Sequence, residues 1–267
     1  MSERTTEEIR EAIRRNYKGI AQSRSAGASC CSSSCCGGDS DEAPGELAVT
    51  LGYSMEQLSQ APQASNMGLG CGNPLAIASL RPGETVLDIG SGGGCDAFLA
   101  AQAVRETGQV IGVDATPEMV PRARQLAAGH GYDNVDFRLG EMENLPVADG
   151  AVDVIISNYV INLSPEKPRV FQELFRVLRS GGRLAISDVV ATAELRAEIK
   201  EDLTLYSSCV AGACTIDELE AMLTEAGFVG IVMRPKEESN TFIREWAPGT
   251  KAEELVVSAL IEGVKPA

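Results

Sequence analysis

The cysteines of this sequence are the residues best suited to chemistry, and Cys71 is the most distinctive of them. It lies between glycines in Gly70-Cys-Gly72, just before a predicted helix at Leu75–Leu80. Glycine neighbours leave a thiol sterically open, and a following helix N-terminus favours its thiolate form. A structural cysteine would instead be expected inside an apolar strand or helix. We therefore predict that Cys71 is functional.

A second group of thiols lies in residues 24–46, a segment rich in serine and glycine. The segment has too few core-forming side chains to fold alone, which predicts a mobile loop. Thiols on a flexible backbone suit capture of soft metals or thiol–disulfide exchange, although a tolerated linker is the simpler interpretation. The loop contains two vicinal pairs, Cys30-Cys31 and Cys35-Cys36.

A glycine-rich turn follows the apolar run Thr85–Ile89 and leads into a helix-favouring segment from Ala97. A strand, tight turn and helix in this order allow backbone amides to approach a ligand closely. The next strand ends in Asp114, close to the ~20-residue interval at which an acidic residue binds ribose hydroxyls. The pair indicates a nucleoside-containing cofactor.

Composition narrows the class of protein. The 267 residues carry a formal charge of -15, which argues against a partner with a phosphate backbone such as nucleic acid. No apolar run is long enough to span a bilayer and the N-terminus is charged, so we expect a cytoplasmic protein without a membrane partner. The eight cysteines are then expected to be thiols. A single histidine, His130 in a predicted surface loop, excludes a His-pair zinc site.

Alternating strands and helices predict a doubly wound α/β domain over residues 51–190, with its ligand at the carboxyl ends of the strands. Residues 1–50 are expected to form a helix and the cysteine-rich loop. Residues 191–267 are expected to form a small α+β region. The predicted strands of the central domain are Val86–Ile89, Gln109–Val113, Val135–Leu139, Val152–Ser157 and Arg183–Asp188, and its helices are at about 95–105, 117–128 and 167–179, the last closed by Ser180-Gly-Gly182.

The flanking regions carry weaker patterns. An amphipathic helix over residues 1–23, capped by Thr5 or Thr6, is expected to pack across the domain or to cover the cofactor through Tyr17. The C-terminal region is expected to bring Cys209 towards the pocket. Its predicted helices are Leu195–Tyr206 and one from Thr215 to Ala226, and its predicted strands are Val229–Met233, Asn240–Trp246 and Val256–Glu262.

The glycine spacing Gly90-x-Gly92-Gly-Gly94 is not the dinucleotide pattern, and Asp88 would repel a diphosphate but pair with an ammonium. Three segments resemble class I S-adenosylmethionine methyltransferases: 114–119, 140–146 and 152–158. The resemblance implies a Rossmann-like fold and S-adenosylmethionine as the cofactor, with Asp114 on the ribose and Glu141 on the adenine amino group. The cofactor-binding residues that it implies are Tyr17, Asp88, Gly90, Gly92, Asp114, Ala115, Met119, Glu141, Met142 and Asn158.

Three further segments narrow the resemblance: 69–74, 156–165 and 209–213. They are similar to the arsenite S-adenosylmethionine methyltransferases, over nearly the whole chain from about Leu51. The resemblance implies that Cys71 and Cys209 bind trivalent arsenic, and that Cys35 or Cys36 can pair with Cys71. It also implies arsenite or methylarsenite as the substrate and an external thiol reductant of the glutathione or thioredoxin type. We expect a monomer.

One departure from the family matters, because Tyr159 stands where the family usually has a third cysteine. A phenol is a harder ligand with a pKa near ~10 and substitutes poorly for a thiolate. Cys214 or a loop cysteine could complete the arsenic site, a solvent thiol such as glutathione could do so, or the enzyme could prefer methylarsenite. Cys95 in the glycine loop is expected to be a bystander.

Two rival functions remain open from the sequence. One is a methyltransferase for another small nucleophile, such as a thiol, a quinone or a selenium compound, which would not need Cys71 and Cys209. The other is a thiol-rich scavenger of soft metals that keeps the cofactor only for structure.

Overall fold

The computed structural model describes residues 5–23, 44–246 and 250–267. Within these residues a seven-stranded sheet has the order β3-β2-β1-β4-β5-β7-β6. The strands are β1 Thr85–Ile89, β2 Gln109–Asp114, β3 Val135–Leu139, β4 Val152–Asn158, β5 Leu178–Ala191, β6 Val229–Lys236 and β7 Val256–Val264.

Helices surround this sheet, and the longest of them is the N-terminal one. In the same residues no helix is both long and apolar enough to cross a membrane. The helices are α1 Thr6–Ser23, α2 Pro44–Thr50, α3 Met55–Ser59, α4 Leu75–Ala78, α5 Cys95–Val104, α6 Met119–His130, α7 Lys167–Val177, α8 Ala197–Lys200, α9 Leu203–Ser207, α10 Ile216–Ala226, α11 Asn240–Trp246 and α12 Ala252–Leu255.

The first five strands are parallel, and β1 pairs with both β2 and β4. The strand order therefore reverses between β1 and β4, which opens a crevice at their carboxyl ends. One core cluster includes Phe98 of α5 and Ala123 of α6, and another includes Leu174 of α7 and Leu223 of α10. Helices thus cover both faces, which confirms the predicted Rossmann-like α/β fold.

The C-terminal residues complete the same sheet instead of forming a separate layer. Strand β7 is antiparallel to β5 over nine residue pairs, from Arg183–Val264 to Ala191–Val256, and β6 pairs with the other edge of β7. The segment between β5 and β6 carries Cys209 and packs against α1 through α9. The expected α+β region is therefore continuous with the main sheet, and this continuity brings Cys209 over the strand ends.

The segment Asn240–Trp246 is a helix, so the prediction of a strand there was wrong. Its β-branched and aromatic residues favour a strand by local propensity. In the fold, β7 already has a partner on each side, and Ile243 is fully buried against residues around Cys71 and Cys209. Tertiary packing of Ile243 and Phe242 thus outweighs the local preference.

Three helix boundaries also differ from the sequence-based expectation. Helix α7 ends at Val177, two residues earlier than expected. The glycines at 181 and 182 belong to the first part of strand β5 and do not close the helix. The helix expected over 195–206 is broken before Asp202, whose carboxylate caps α9 by accepting from two backbone amides. His130 is exposed, as expected, but it is the last residue of α6 and not a loop residue.

Arg183 on β5 links the end of α4 to the sheet through hydrogen bonds. Its guanidinium forms an ion pair with Glu84, with Nη1 2.8 Å from Oε1, and it donates to the carbonyls of Ala78 and Ser79. We expect Arg183→Met to lower the free energy of unfolding by about 2 kcal/mol, because it leaves a half-buried carboxylate and two carbonyls without their donor. Urea denaturation measures the change. The exposed Arg196→Met should change the value by less than about 0.5 kcal/mol, and a similar loss in both variants would contradict this role.

Candidate active site

A pocket lies at the carboxyl ends of β1, β2 and β4, where the sheet order reverses. The turn after β1 passes through Gly92, whose φ of 51° is in the left-handed region that favours glycine. The Gly92 amide donates to Asp114 Oδ2 at 2.8 Å, and a Cβ at this position would meet no atom within 4 Å. The turn is therefore tied to β2 and leaves open space for a ligand. We call this space the glycine-loop pocket.

Asp114 ends β2 and faces this pocket. Its Oδ1 accepts from the Thr116 amide at 2.8 Å while its Oδ2 accepts from Gly92. Burial raises the pKa of Asp114, although these two hydrogen bonds oppose the rise. Each carboxylate oxygen retains a lone pair, and a pair of vicinal hydroxyls is a suitable donor to them.

The structure brings the sequence-predicted cofactor residues together around this space. Two adjoining cavities share Gly90, Gly92, Leu69 and Asn158. Asp88 lines one of them. The other is lined by the remaining predicted residues, namely Tyr17, Asp114, Ala115, Met119, Glu141, Met142 and the shared Gly90, Gly92 and Asn158. Their individual roles toward a cofactor stay predictions.

Two carboxylates, the buried Asp88 and the half-buried Asp96, line the same end of the pocket. Asp88 is 2% exposed and its Oδ2 is buried without a hydrogen-bond partner. Burial raises the pKa of Asp88, and the neighbouring carboxylates of Asp96 and Asp114 raise it further. An acidic pair of this kind calls for a cation. The sequence did not identify Asp96 as a site residue. Its position in the first turn of the helix after the glycine turn was the one pattern that could have indicated it.

The side-chain amide of Asn158 connects the glycine-loop pocket to the segment around Cys71. Asn158 Oδ1 accepts from the Cys71 amide at 3.0 Å. Its Nδ2 lies 2.8 Å from the Gly72 carbonyl, 3.0 Å from the Tyr53 hydroxyl and 3.3 Å from Asp96 Oδ2. The end of β4 therefore sets the distance between the acidic pair and the thiol.

Cys71 and Cys209 meet in one apolar cluster beside the pocket, although 137 other residues separate them in the chain. We call this the thiol cluster; it also includes Tyr159, Leu163, Val189 and Leu205. Both thiols are free and fully buried at 0% exposure. The expectation of a sterically open Cys71 was therefore wrong, because the β5–α10 segment and the sheet cover it.

Burial also overturns the expected thiolate at Cys71. Burial raises the pKa of Cys71, and the Asp188 carboxylate raises it further. Burial, Asp188 and Cys71 likewise raise the pKa of Cys209. Helix α4 has only four residues and begins after Pro74, so its N-terminus offsets little of this effect. Burial therefore favours the neutral thiol form of both sulfurs.

Tyr159 contacts the loop that carries Cys209 through both its side chain and its backbone. Its hydroxyl donates to the Ser208 carbonyl, and its own carbonyl accepts from the Cys209 thiol at 3.4 Å. Both residues have left-handed backbones, with φ of 61° at Tyr159 and 58° at Cys209. Such conformations cost a non-glycine residue about 1–3 kcal/mol and persist where the surroundings enforce them. Burial raises the pKa of Tyr159, and Cys209 raises it further, so the phenol is neutral.

The other described cysteines do not join this pair as a third ligand. Cys95 begins α5 and lines the Asp88 end of the pocket, whereas Cys214 is half-buried with its sulfur 3.9 Å from the Gly212 carbonyl. Across residues 5–23, 44–246 and 250–267, no three His, Cys, Asp or Glu side chains are grouped so that they could hold a metal ion. Cys30, Cys31, Cys35 and Cys36 lie outside the described residues.

Helix α1 covers the mouth of the glycine-loop pocket. Its cap is Thr5, whose hydroxyl accepts from the Glu8 amide. Arg14 of α1 contacts Glu141 at 2.6 Å, and Arg10 contacts Glu143 and Glu166 at 3.2 and 2.7 Å. The half-buried Tyr17, further along the same helix, lines the cavity. The helix thus both packs across the domain and covers the site.

The fold and the pocket define a class I S-adenosylmethionine-dependent methyltransferase, and the methyltransferase domain family matches residues 80–227. The arsenite methyltransferase of Halobacterium salinarum is 49% identical over all of this chain, which covers 69% of that protein. An arsenite methyltransferase of Aquipseudomonas alcaligenes is 42% identical over 62% of this chain, or 50% of its own length. The chain belongs to the arsenite methyltransferase family.

A solved structure supports the same assignment. The crystal structure of an arsenic(III) S-adenosylmethionine methyltransferase from Chlamydomonas reinhardtii superimposes with a TM-score of 0.64 at 29% identity, covering 84% of this chain and 74% of that chain. The present chain thus spans between half and three quarters of the length of these three relatives.

The pocket fits the cofactor of this family. S-Adenosylmethionine carries an ammonium and a sulfonium, and it supplies an electrophilic methyl group when bound. The unpartnered Asp88 Oδ2 and the raised pKa of the acidic pair suit a cation, and Asp114 suits the ribose hydroxyls. Met119 and Met142 line the same cavity as Asp114, and their soft apolar surfaces suit the adenine ring that is expected there.

We expect Asp88→Asn to weaken S-adenosylmethionine binding roughly 10- to 100-fold, because the amide keeps the shape but removes the charge that attracts the ammonium. Isothermal titration calorimetry gives the dissociation constant. The exposed Asp136→Asn is the matched control and should bind as tightly as the wild type. Unchanged affinity in Asp88→Asn would exclude Asp88 as the ammonium partner.

Proposed function

We propose that this chain transfers the S-methyl group of S-adenosylmethionine to trivalent arsenic held by the sulfurs of Cys71 and Cys209. The observation that carries the proposal is the meeting of two free, fully buried thiols beside a methyltransferase cofactor pocket. Trivalent arsenic is soft and binds thiolates in preference to oxygen ligands. Membership of the arsenite methyltransferase family supports the same substrate.

Neutral thiols suit the capture of arsenic from its hydroxide. When a thiol replaces a hydroxyl group, the S–H and As–O bonds break, the S–As bond forms, and the thiol proton leaves with the hydroxyl group as water. Arsenic remains trivalent. The raised pKa values of Cys71 and Cys209 therefore do not prevent binding, because the leaving group removes the proton.

The methyl transfer itself requires positioning more than acid–base catalysis. Arsenic bound to two thiolates keeps a lone pair and carries no proton that must be removed. Correct placement of two reactants can lower a barrier by about 7–11 kcal/mol. Asn158 contributes this placement because it hydrogen-bonds to Cys71 and Gly72 on one side and to Asp96 on the other.

We propose further that the site is a two-thiolate site with a preference for methylarsenite. Tyr159 is a neutral phenol whose hydroxyl is already engaged with Ser208, so it offers no third soft ligand. Methylarsenite has two exchangeable oxygen ligands and is satisfied by two thiols. Inorganic arsenite has three, and a solvent thiol such as glutathione would supply the last one.

Methyl transfer oxidises arsenic to the pentavalent state, and its reduction requires two electrons. We propose that a protein dithiol supplies them by forming a disulfide, which an external thiol of the glutathione or thioredoxin type then reduces. Cys71 is a candidate for this dithiol together with Cys35 or Cys36, as the family resemblance implies.

We expect Cys71→Ser and Cys209→Ser each to lower the rate of arsenic methylation by at least about 100-fold, because serine is a hard ligand and leaves arsenic on one thiol. Incubation with S-adenosylmethionine, a thiol reductant and arsenite or methylarsenite, followed by chromatography of the products, measures the rate.

Cys214→Ser is the control and should keep the wild-type rate. Full activity in both Cys71→Ser and Cys209→Ser would contradict the arsenic site and favour another small nucleophile. Tight arsenic binding by the wild type with no methylated product would favour the metalloid scavenger instead.

We expect Tyr159→Cys to raise the turnover of arsenite more than that of methylarsenite, because a third thiolate serves only the substrate with three exchangeable ligands. The ratio of the two initial rates measures this effect. Tyr159→Phe, which removes only the hydroxyl group bound to Ser208, should leave the ratio unchanged. An equal increase for both arsenicals in Tyr159→Cys would contradict the coordination argument.

A further inference from the structure

A strip of polar side chains crosses the sheet beneath Cys71 and is not explained by the thiol pair. Ser258 of β7 lies opposite Val189 of β5 and opposite Lys236 of β6 in the strand register. Ser187 lies two residues before Val189 and therefore faces the same side of the sheet. Ser187, Ser258 and Lys236 thus form a continuous strip on three neighbouring strands, on the side that carries the thiol cluster.

This strip contacts Cys71 directly. The Ser187 hydroxyl lies 3.5 Å from the Cys71 sulfur, and the Ser258 hydroxyl donates to the Cys71 carbonyl at 2.6 Å. Ser187 and Ser258 are both 0% exposed. The sulfur is therefore held over the strip by its own backbone and faces the Ser187 hydroxyl.

Gly72 allows the strip to approach this closely. A Cβ at position 72 would lie 2.3 Å from Ser187 Oγ and 3.4 Å from Lys236 Nζ. The hydroxyl and the ammonium thus converge on one point beside the residue that follows the thiol. A side chain at this point would displace the Ser187 hydroxyl and would contact the ammonium.

Lys236 has an unusual electrostatic setting. It is half-buried, and among the described residues it forms no hydrogen bond or ion pair with a carboxylate. Its positive charge lowers the pKa of Cys71 and so opposes the stronger effect of the nearby Asp188 carboxylate. By contrast, Arg234, two residues earlier on the same strand, is paired with Glu262. A half-buried cation without a carboxylate favours negative charge on its neighbours.

We propose that Ser187 and Lys236 are positioning residues for arsenic capture by Cys71. The Ser187 hydroxyl orients the sulfur, and the Lys236 ammonium stabilises the negative charge that develops on it as the S–H bond breaks. The step rests on the proposed function and has the balance given above: one S–As bond replaces one As–O bond, and water leaves. Both residues act through Cys71 and contact neither the cofactor nor the methyl group.

The test separates arsenic capture from methyl transfer. Steady-state methylation is measured with methylarsenite varied at saturating S-adenosylmethionine. It is measured again with S-adenosylmethionine varied at saturating methylarsenite. The variants are Lys236→Met, Lys236→Arg, Ser187→Ala and the control Arg234→Met, which removes a cation from the same strand. Binding of methylarsenite to each protein without S-adenosylmethionine is measured in parallel by native mass spectrometry.

We expect Lys236→Met to raise the KM for methylarsenite roughly 10-fold and Ser187→Ala roughly 3-fold, as the loss of a charged or neutral hydrogen-bonding neighbour predicts. The KM for S-adenosylmethionine and the kcat should change by less than about 2-fold, since these residues do not take part in the methyl transfer. Lys236→Arg should recover most of the loss, and Arg234→Met should match the wild type.

Unchanged KM values for methylarsenite in both Lys236→Met and Ser187→Ala would overturn the proposal. Equal increases in the KM for both substrates, or no recovery in Lys236→Arg, would also overturn it by indicating a general structural effect. A wild-type protein that binds methylarsenite but does not methylate it would contradict the proposed function alone. In that case weaker binding by Lys236→Met than by Arg234→Met still supports the capture role.

Discussion

The carboxamide of Asn158 holds two binding sites in register. Its oxygen accepts from the Cys71 amide, and its nitrogen reaches the Gly72 carbonyl, Tyr53 and Asp96. A buried amide engaged at both ends is difficult to move, because each lost hydrogen bond would leave a desolvated polar group. The acidic end of the cofactor pocket and the first thiol therefore move as one unit with the end of β4. The distance between the methyl donor and the proposed acceptor site is therefore expected to depend on this single side chain.

Burial decides the chemical properties of the thiol pair. A thiol on a flexible exposed loop reacts readily with oxidants and with other thiols, whereas Cys71 and Cys209 are shielded from solvent and burial raises the pKa of both. What they offer is a fixed pair of sulfurs, so that capture by the first makes capture by the second an intramolecular event. The rigid surroundings of Cys209, with Tyr159 on two sides, reduce the entropy that binding must still remove.

Local patterns made the cofactor half of the site predictable. A strand that ends in a glycine turn and a second strand that ends in Asp114 determine their own geometry, and the structure places all the residues expected there around one space. The thiol half depends on tertiary structure. Neither the meeting of Cys71 with Cys209 nor the burial of Cys71 follows from the flanking glycines, and the resemblance to a family was needed to pair them. Lys236 gave no signal in the sequence, since the role proposed for it depends on strand register.

Errors in the prediction have the same origin. The segment 240–246 has the composition of a strand. It forms a helix because β7 is already paired on both sides and because Ile243 packs into the thiol cluster. The contact between Arg14 and Glu141 joins residues far apart in the chain and places a cation of α1 against the residue expected to bind adenine. Sequence spacing describes neighbours along an element, whereas these contacts join different elements.

The left-handed backbones at Tyr159 and Cys209 also restrict how this site can evolve. Branched side chains such as valine, isoleucine and threonine are strongly disfavoured at such φ values, whereas glycine, asparagine and unbranched residues are tolerated. Substitutions at position 159 are thus restricted to few amino acids. Codons for tyrosine and cysteine differ by a single base. One such change would add a third thiol beside Cys71 and Cys209 without a change in the backbone of the loop that carries position 159.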